Sequence, residues 1–419
     1  GVSGSAAERL LGALGVPGVV YAAKDRPFTA AAARRHRLVV FSPGFASGHP
    51  WLGAARGAGA DCWGELDFAS LFWKGSVVAV TGTNGKTTVT EFLTHALRGA
   101  GREAYAAGNI GRALSALVAD RDGGLPSDLA VCEVSSFQAE SLRHLRASAT
   151  LWINFAEDHL ERHAGLPEYF AAKAALANRS DALFAGSSVW TFAQREPSAL
   201  GLLRGAGRIA WVPTEAQPAD ALLAGTVFAE YPQRENFLLA AAWWKAAGLA
   251  ARILYDAARD FRLGAHRLAR VGARGGVAYW NDSKATNFHA AEAALRRFAV
   301  PVLLIAGGKS KGGDLEGFAR RIASRVRHAF LIGDAAPALA SALDAAMVPH
   351  TRCVSLREAV RAASSSAHPG DQIVLSPGFS SLDQFRSYED RGAQFEALAR
   401  DRIASPAAPP LVSHRTESP

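Results

Sequence analysis

The chain has 419 residues, 49% of them hydrophobic and 20% charged, with a formal net charge of +8. That length allows two or three domains with substantial cores, and the composition is that of an ordinary globular protein. No apolar run approaches the ~20 residues that span a bilayer, and no charged segment leads into an apolar one, so neither membrane insertion nor a signal peptide is expected.

The arginines are scattered (Arg34, Arg35, Arg37, Arg143, Arg146, Arg320, Arg321), without aromatic interleaving. This disfavours a nucleic-acid partner and suits a surface matched to small anionic substrates. Cys62, Cys132 and Cys353 lie too far apart for a CxxC metal site or a disulfide framework, which fits a reducing, cytoplasmic setting.

Residues 1–73 read as helix, strand, helix, strand: Ala6–Leu14, Val19–Ala22, Ala30–His36 and Leu38–Phe41. Gly1 and Gly4 ahead of the first helix resemble the end of a Rossmann-like phosphate turn. An initial strand is expected to be missing upstream, the chain looking trimmed at its N-terminus. The loop SPGFASGHP, with Ser42 and Gly44, follows a strand carboxyl end, where open α/β sheets bind ligands. On spacing alone it is equally a plain turn.

Residues 74–262 alternate strands (Val77–Val80, Leu129–Val134, Leu151–Asn154, Ala182–Phe184) with helical segments, which predicts a mostly parallel sheet covered on both faces. The run VVAVTGTNGKTT breaks from a β-branched strand into a glycine loop and then a helix. Gly82 and Gly85 let backbone N–H groups converge on an anion at a helix N-terminus, Lys86 can reach β- and γ-phosphates, and the Thr87 hydroxyl can hold Mg²⁺. Val80 stands where the full Walker pattern has a glycine. Glu133 sits inside an otherwise apolar strand, which is costly unless the carboxylate is paired or binds metal. A doubly wound order puts it one strand from Val77–Val80, close enough to share Mg²⁺ with Thr87, though a salt bridge to a structural arginine would also explain it. Asn109 in GNIG, and Asp158, His159, Glu161 and His163 in NFAEDHLERH, follow strand ends. His159 alone is ambiguous, and Lys173 in EYFAAKAALAN is by default a snorkelling surface lysine.

Residues 263–404 repeat the doubly wound pattern, with strands Val277–Trp280, Pro301–Ala306, Ala329–Ile332 and Gln372–Leu375. Helices are predicted near Ala290–Arg297, Leu315–Ile322, Ala336–Leu343 and Leu356–Ala363. The polar loops NDSKATN, GGKSKGGD and SPGFSSLDQF follow strands and so gather at one sheet edge. The Pro- and Ser-rich segment 405–419 reads as a disordered tail.

The motifs TGTNGKTT, GNIG, EVSSFQ, EDHLERH, the AAK lysine, AHR, NDSKATN and LDQFxxxExRGxxF together, in order and approximate spacing, resemble the Mur ligases of peptidoglycan synthesis. NDSKATN and LDQFRSYEDRGAQF look like the branch that adds D-glutamate. The resemblance implies a UDP-binding Rossmann-like domain (1–73), a central P-loop ATP-binding domain (74–262) and a C-terminal Rossmann-like domain that holds the amino acid (263–404). It implies ATP-dependent phosphorylation of a UDP-muramoyl-alanine carboxylate to an acyl phosphate, then attack by the glutamate amine. Lys86, Glu133, His159, Lys173 and Lys284 are the implied catalytic residues. Thr87, Glu133, His159 and a carbamylated Lys173 would hold two Mg²⁺ ions. Thr83, Asn84, Gly85, Lys86, Thr87, Thr88, Val89, Asn236, Arg267 and Asp282 would bind ATP. Ser3, Ser42, Gly44, Asn109 and Ser135 would line the UDP-sugar path. Thr286, Lys311, Ser381, Leu382 and Tyr388 would form the glutamate pocket. The partners are then small molecules, the expected state is a monomer, and the third domain has to swing in about residues 262–265.

Four departures stand out. Phe379 puts a bulky ring where the family has a small cysteine, Tyr388 replaces Phe, Gln233 replaces Asn, and Ala22 and Ala23 replace polar uracil partners. The altered 376–388 loop leaves L-glutamate, or another acceptor, as an alternative substrate; a non-catalytic nucleotide-binding homologue is the other alternative.

Overall fold

The computed structural model describes residues 1–46, 48–109, 111–215 and 217–404. The expected disordered tail, 405–419, lies outside the described residues. The chain forms two compact units that divide after Leu263.

The first unit contains a small parallel pair, β1 (Leu38–Phe41) with β2 (Asp61–Gly64), and a six-stranded parallel sheet. The larger sheet comprises β3 (Ser76–Thr81), β4 (Ala104–Gly108), β5 (Leu129–Glu133), β6 (Ala149–Trp152), β7 (Ala182–Ala185) and β8 (Arg208–Trp211), in the order β4-β5-β3-β6-β7-β8. Strand β3 is central because its side chains satisfy both faces. Val78 and Val80 enter a core with Val89, Phe92, Leu93 and Leu97 of the Lys86–Gly99 helix. Val77 and Ala79 enter a second core with Leu10, Leu114, Leu117 and Val118. The two-residue period of the pleat thus sorts one apolar run into two layers. Buried carboxylates fasten the 61–70 segment: Asp67 Oδ1 accepts the backbone N–H groups of Arg143, His144 and Leu145 at 3.0, 2.8 and 2.9 Å, and Glu65 Oε1 accepts that of Ser115 at 2.7 Å.

The second unit holds β9 (Ala269–Arg274), β10 (Val277–Asn281), β11 (Val302–Gly307), β12 (Val326–Ile332), β13 (His350–Arg352) and β14 (Gln372–Leu375), in the order β13-β12-β11-β14-β10-β9. All its neighbours pair in parallel except β9 with β10. Here too the strands alternate, Leu304 and Val374 into one core and Leu303, Ile305, Ile373 and Leu375 into the other.

Three sequence expectations fail near the N-terminus. Val19–Ala22 is not a strand; only an isolated bridge joins Ala22 to Arg26. The first helix runs from Val2 to Ala13, so Ser3 and Gly4 are helical and no phosphate turn forms there. Ala6, Ala7 and Leu10 bury one stripe of that helix, and this tertiary contact extends it past the glycine. The Ala30–His36 helix stops at Ala33. Strands β2, β4, β8, β9 and β13 were not expected, since runs such as Ala104–Gly108 and His350–Arg352 lack an apolar β-branched pattern and become strands only by pairing.

Candidate active site

Parallel pairing of β3 with β5 and β6 sets Val80 opposite Glu133 and Thr81 opposite Trp152, so three strand ends present their loops along one edge. The loop from β3 turns on Gly82 (φ 150°) and Gly85 (φ 83°). A Cβ on Gly85 would lie 2.2 Å from Asn236 Oδ1, so both conformation and space require glycine there. Lys86 opens the following helix and donates to the carbonyls of Gly82 (3.0 Å) and Thr83 (2.8 Å), which places its ammonium over the loop.

Glu133 is buried at the end of β5. Its Oε1 accepts from Asn109 Nδ2 at 3.2 Å, while Oε2 is buried with no hydrogen-bond partner among the described residues. The alternative of a structural arginine partner is therefore not what the side chain finds. Lys173 is no surface lysine: it is 1% exposed, donates to Gly82 O at 3.0 Å and Thr81 Oγ1 at 3.4 Å, and sits 4.7 Å from the Tyr169 ring centre. Burial first, and the nearby Lys86 charge second, hold its amine well below the ordinary lysine range, with Asp158 and Glu133 opposing. His159 adopts a left-handed backbone (φ 56°), and its ring lies 3.3 Å from Glu161 Oε1, 3.6 Å from Asp158 Oδ2 and 6.4 Å, centre to centre, from Tyr169. Lys86, Glu133, Asp158 and Lys173 thus form one electrostatic cluster, with His159 joined to it through Asp158 and Tyr169.

A second layer was not foreseen in the sequence. The Asn84 N–H donates to Asn154 Oδ1 (2.9 Å), Asn154 Nδ2 donates to Glu235 Oε2 (3.3 Å), and Thr214 Oγ1 donates to Glu235 Oε1 (3.1 Å). Glu235 and Asn236 both come from the first turn of the Gln233–Ala246 helix, so one helix start contacts the glycine loop after β3 at Asn84, through Asn154, and at Gly85. The polar Asn154 just past a buried strand was the available signal. Burial raises the Glu235 carboxyl to about 7. A carboxyl raised in the folded state contributes stability that is full below its unfolded pKa of 4.5 and lost as pH rises through 7. Glu235→Gln is therefore expected to gain on the wild type by roughly 3 kcal/mol between pH 4.5 and pH 8. Urea unfolding at both pH values measures this, and an equal difference at both would refute it.

Among the UDP-path residues, Ser42 and Gly44 lie in the loop after β1, where the Phe45 N–H donates to Ser42 O at 3.1 Å. That loop borders a cavity of about 140 Å³ lined by Phe41, Phe45, Arg56, Glu140, Ser141 and Arg143, among others. Ser135 is engaged in a capping box: its Oγ accepts the Gln138 N–H (3.2 Å) and its own N–H donates to Gln138 Oε1 (3.0 Å). Ser3 lies on the first helix, and nothing joins it to this loop among the described contacts.

In the second unit, the three polar loops follow β10, β11 and β14, which are neighbours, and hydrogen bonds join them. Gly378 N–H donates to Ala285 O (2.9 Å), and Lys309 and Ser380 exchange backbone bonds (2.8 and 3.1 Å). Asp282 is buried, its Oδ1 accepting the Leu268 N–H (3.0 Å) and its Oδ2 the Ser376 hydroxyl (2.8 Å), and burial pushes its carboxyl up to about 7. Lys284 Nζ donates to the Tyr388 hydroxyl at 3.0 Å. Thr286 and Lys311 are half-buried, Ser381 is buried, and Leu382 is 65% exposed.

Phe379 is not in the pocket. It is 2% exposed and packs edge-to-face on Phe288 with ring centres 5.3 Å apart, inside the core that also holds Phe318. The substitution of Phe for a small residue fills the core beneath the loop. Phe379→Ala is thus expected to cost about 3–5 kcal/mol of stability in chemical denaturation while leaving amino-acid preference unchanged.

No helix among the described residues is long and apolar enough to cross a membrane. Comparison with known proteins matches residues 80–185 to the Mur ligase middle domain and residues 266–379 to the Mur ligase glutamate ligase domain. The UDP-N-acetylmuramoylalanine–D-glutamate ligase of Acidobacterium capsulatum is 37% identical over 388 residues, 87% of this chain and 82% of that protein. The enzyme of the same name from Chromobacterium violaceum is 36% identical over 405 residues, 91% and 86%. In fold, the chain is similar to the MurF ligase of Thermotoga maritima in complex with ADP, with a TM-score of 0.58 at 15% identity, covering 88% of this chain and 99% of that one.

Proposed function

The chain belongs to the Mur ligase family, in the branch of the UDP-N-acetylmuramoylalanine–D-glutamate ligases, and from that premise we propose that it is an ATP-dependent amide ligase joining D-glutamate to UDP-N-acetylmuramoyl-L-alanine in cytoplasmic peptidoglycan precursor synthesis. The observation that carries this reading is the cluster of Lys86, Glu133 and Lys173 on the phosphate loop.

A carboxylate is a poor electrophile because oxide cannot leave. Transfer of the ATP γ-phosphoryl group gives an acyl phosphate, the glutamate amine attacks its carbonyl, and the tetrahedral adduct collapses to amide and inorganic phosphate. Positioning and charge neutralisation then supply most of the catalysis. Thr83 to Val89 cradle the phosphates, with Lys86 reaching the γ-phosphate, and Asn236 stands beside them on Gly85. By family resemblance, Arg267 and Asp282 also bind ATP, and Lys284 serves the transferring phosphoryl group.

The residues present fit Mg²⁺. Glu133 Oε2 is a buried oxygen without a partner, and among the described residues no three His, Cys, Asp or Glu side chains form a ready-made metal cluster. Mg²⁺ asks for no such cluster, since it takes one or two protein carboxylates with substrate phosphates and water. When bound, it neutralises phosphate charge. Thr87, Glu133, His159 and Lys173 would hold two such ions. Burial disfavours the charged form of Lys173, and in its neutral form such an amine can attack CO₂, forming a carbamate and releasing a proton, which turns a would-be cation into an oxygen ligand.

Ser42 and Gly44, near Arg56 and Arg143, support the UDP path, with Asn109 and Ser135 toward the muramoyl-alanine. Thr286, Lys311, Ser381, Leu382 and Tyr388 receive the amino acid. The separate β1–β2 sheet supports a domain division at residues 1–73, 74–262 and 263–404, and the protein acts as a monomer. With Phe379 in the core, the loop offers no reason to prefer L-glutamate. Phosphate release with ATP, Mg²⁺ and UDP-N-acetylmuramoyl-L-alanine tests the reading: it is expected with D-glutamate and not with L-glutamate. Release without any acceptor, or with L-glutamate alone, would overturn it.

A further inference from the structure

Arg391, in the Tyr388–Ala404 helix, is 0% exposed, yet its guanidinium has no carboxylate within ion-pair distance among the described residues. Its donors go to oxygens of three loops. Nε donates to Ser283 Oγ (3.0 Å) and Nη2 to Ser283 O (2.9 Å), in the loop after β10. Both Nη atoms donate to Phe379 O (3.2 Å each), in the loop after β14, and Nη1 reaches Gly307 O (3.5 Å), at the end of β11. The Ser283 hydroxyl in turn donates to Tyr388 O at 2.8 Å.

Burying a cation is costly, and an ion pair would be the ordinary compensation. Here the compensation is a set of backbone carbonyls on three separate segments, which only a planar five-donor fork can satisfy at once. We propose that Arg391 is a positioning residue of the amino-acid site, fixing the loops after β10, β11 and β14 so that Thr286, Lys311 and Ser381 stand at the spacing an acidic amino acid requires. This rests on the functional reading above.

The experiment compares the full-length wild type with Arg391→Lys and Ser283→Ala. Lysine keeps the charge and loses the fork; alanine keeps Arg391 and removes one acceptor. In phosphate-release kinetics, Arg391→Lys is expected to raise KM for D-glutamate at least 30-fold and Ser283→Ala 3- to 10-fold, with KM for ATP within about twofold. Equal rises in both KM values, or an unchanged glutamate KM in Ser283→Ala, would overturn the proposal. Ser283→Ala decides if the lysine variant does not fold.

Hydrogen exchange gives a readout that does not depend on the substrate. The Lys309 and Gly378 amides, which bond across the loops, are expected to exchange at least tenfold faster in the variants, while core amides of β11 and β14 are unchanged. Unaltered loop exchange would overturn the proposal even if the enzyme used a different amino acid. Altered exchange in an enzyme inactive with D-glutamate would fault only the substrate.

Discussion

Lys173→Met is expected to abolish ligase activity, lowering phosphate release at least a thousandfold, while making the protein more stable at neutral pH. The two effects have one cause. The amine is buried against Gly82 O and Thr81 Oγ1, and desolvation, with Lys86 nearby, disfavours its charged form. Unfolding exposes it to water, where it takes up a proton at any pH below about 10.5. Between that pH and the lowered folded value, the unfolded chain binds more protons, so stability rises with pH. Methionine has the same reach and no such penalty. The variant's advantage in thermal unfolding is therefore expected to shrink as pH rises above neutral and to vanish as pH approaches 10.5. An advantage that does not shrink with pH would contradict the burial argument.

For activity, the neutral amine is the form that reacts with CO₂. Wild-type enzyme stripped of CO₂ is expected to lose activity and regain it with bicarbonate, and ¹³C-bicarbonate to give a carbamate resonance absent from Lys173→Met. Lys173→Arg, whose guanidinium stays protonated, is expected to stay inactive in bicarbonate. Full activity of either variant would exclude Lys173 from the proposed Mg²⁺ ligands.

Glu133→Gln is the second large effect. Asn109 occupies Oε1, and Oε2 is buried without a partner among the described residues, so the wild-type side chain presents one unused acceptor beside the glycine loop after β3. Glutamine keeps the bond from Asn109 by presenting its carbonyl there, which turns its NH₂ toward the position of Oε2. An acceptor becomes a donor, and a negative charge is lost where a divalent cation would bind. Turnover is expected to fall at least a hundredfold, and the Mg²⁺ concentration for half-maximal activity to rise at least tenfold. Stability should stay within about 1 kcal/mol or increase, because an unsatisfied buried carboxylate is removed. An Mg²⁺ titration at saturating ATP, paired with urea unfolding, measures both. An unchanged Mg²⁺ requirement would show that Glu133 serves only to hold Asn109.

The strand–glycine loop–helix at residues 76–99 was legible because its geometry is local: Gly82, Gly85, Lys86 and Thr87 act through backbone conformation and neighbours in sequence. Glu133 was legible for a different reason, since a carboxylate within an apolar strand is anomalous in any fold. Lys173 was not legible from its surroundings, because an alanine-rich helix with one lysine fits a surface as well as a core, and only family resemblance singled it out. The burial of Phe379 was not legible either, as a loop residue's side chain can enter the pocket or the core beneath it.

By itself, the sequence determined the two α/β patterns, the strand–glycine loop–helix that starts at β3 and the set of polar loops at strand carboxyl ends, since these follow from two- and 3.6-residue periods and from glycine. Tertiary structure alone decided that Glu235 reaches Asn84 through Asn154, that Lys173 is desolvated against Gly82, and that Arg391 joins three loops. Each of these depends on a side chain meeting a partner dozens of positions away, and the cost or benefit of burying a polar group exists only once that partner is in place.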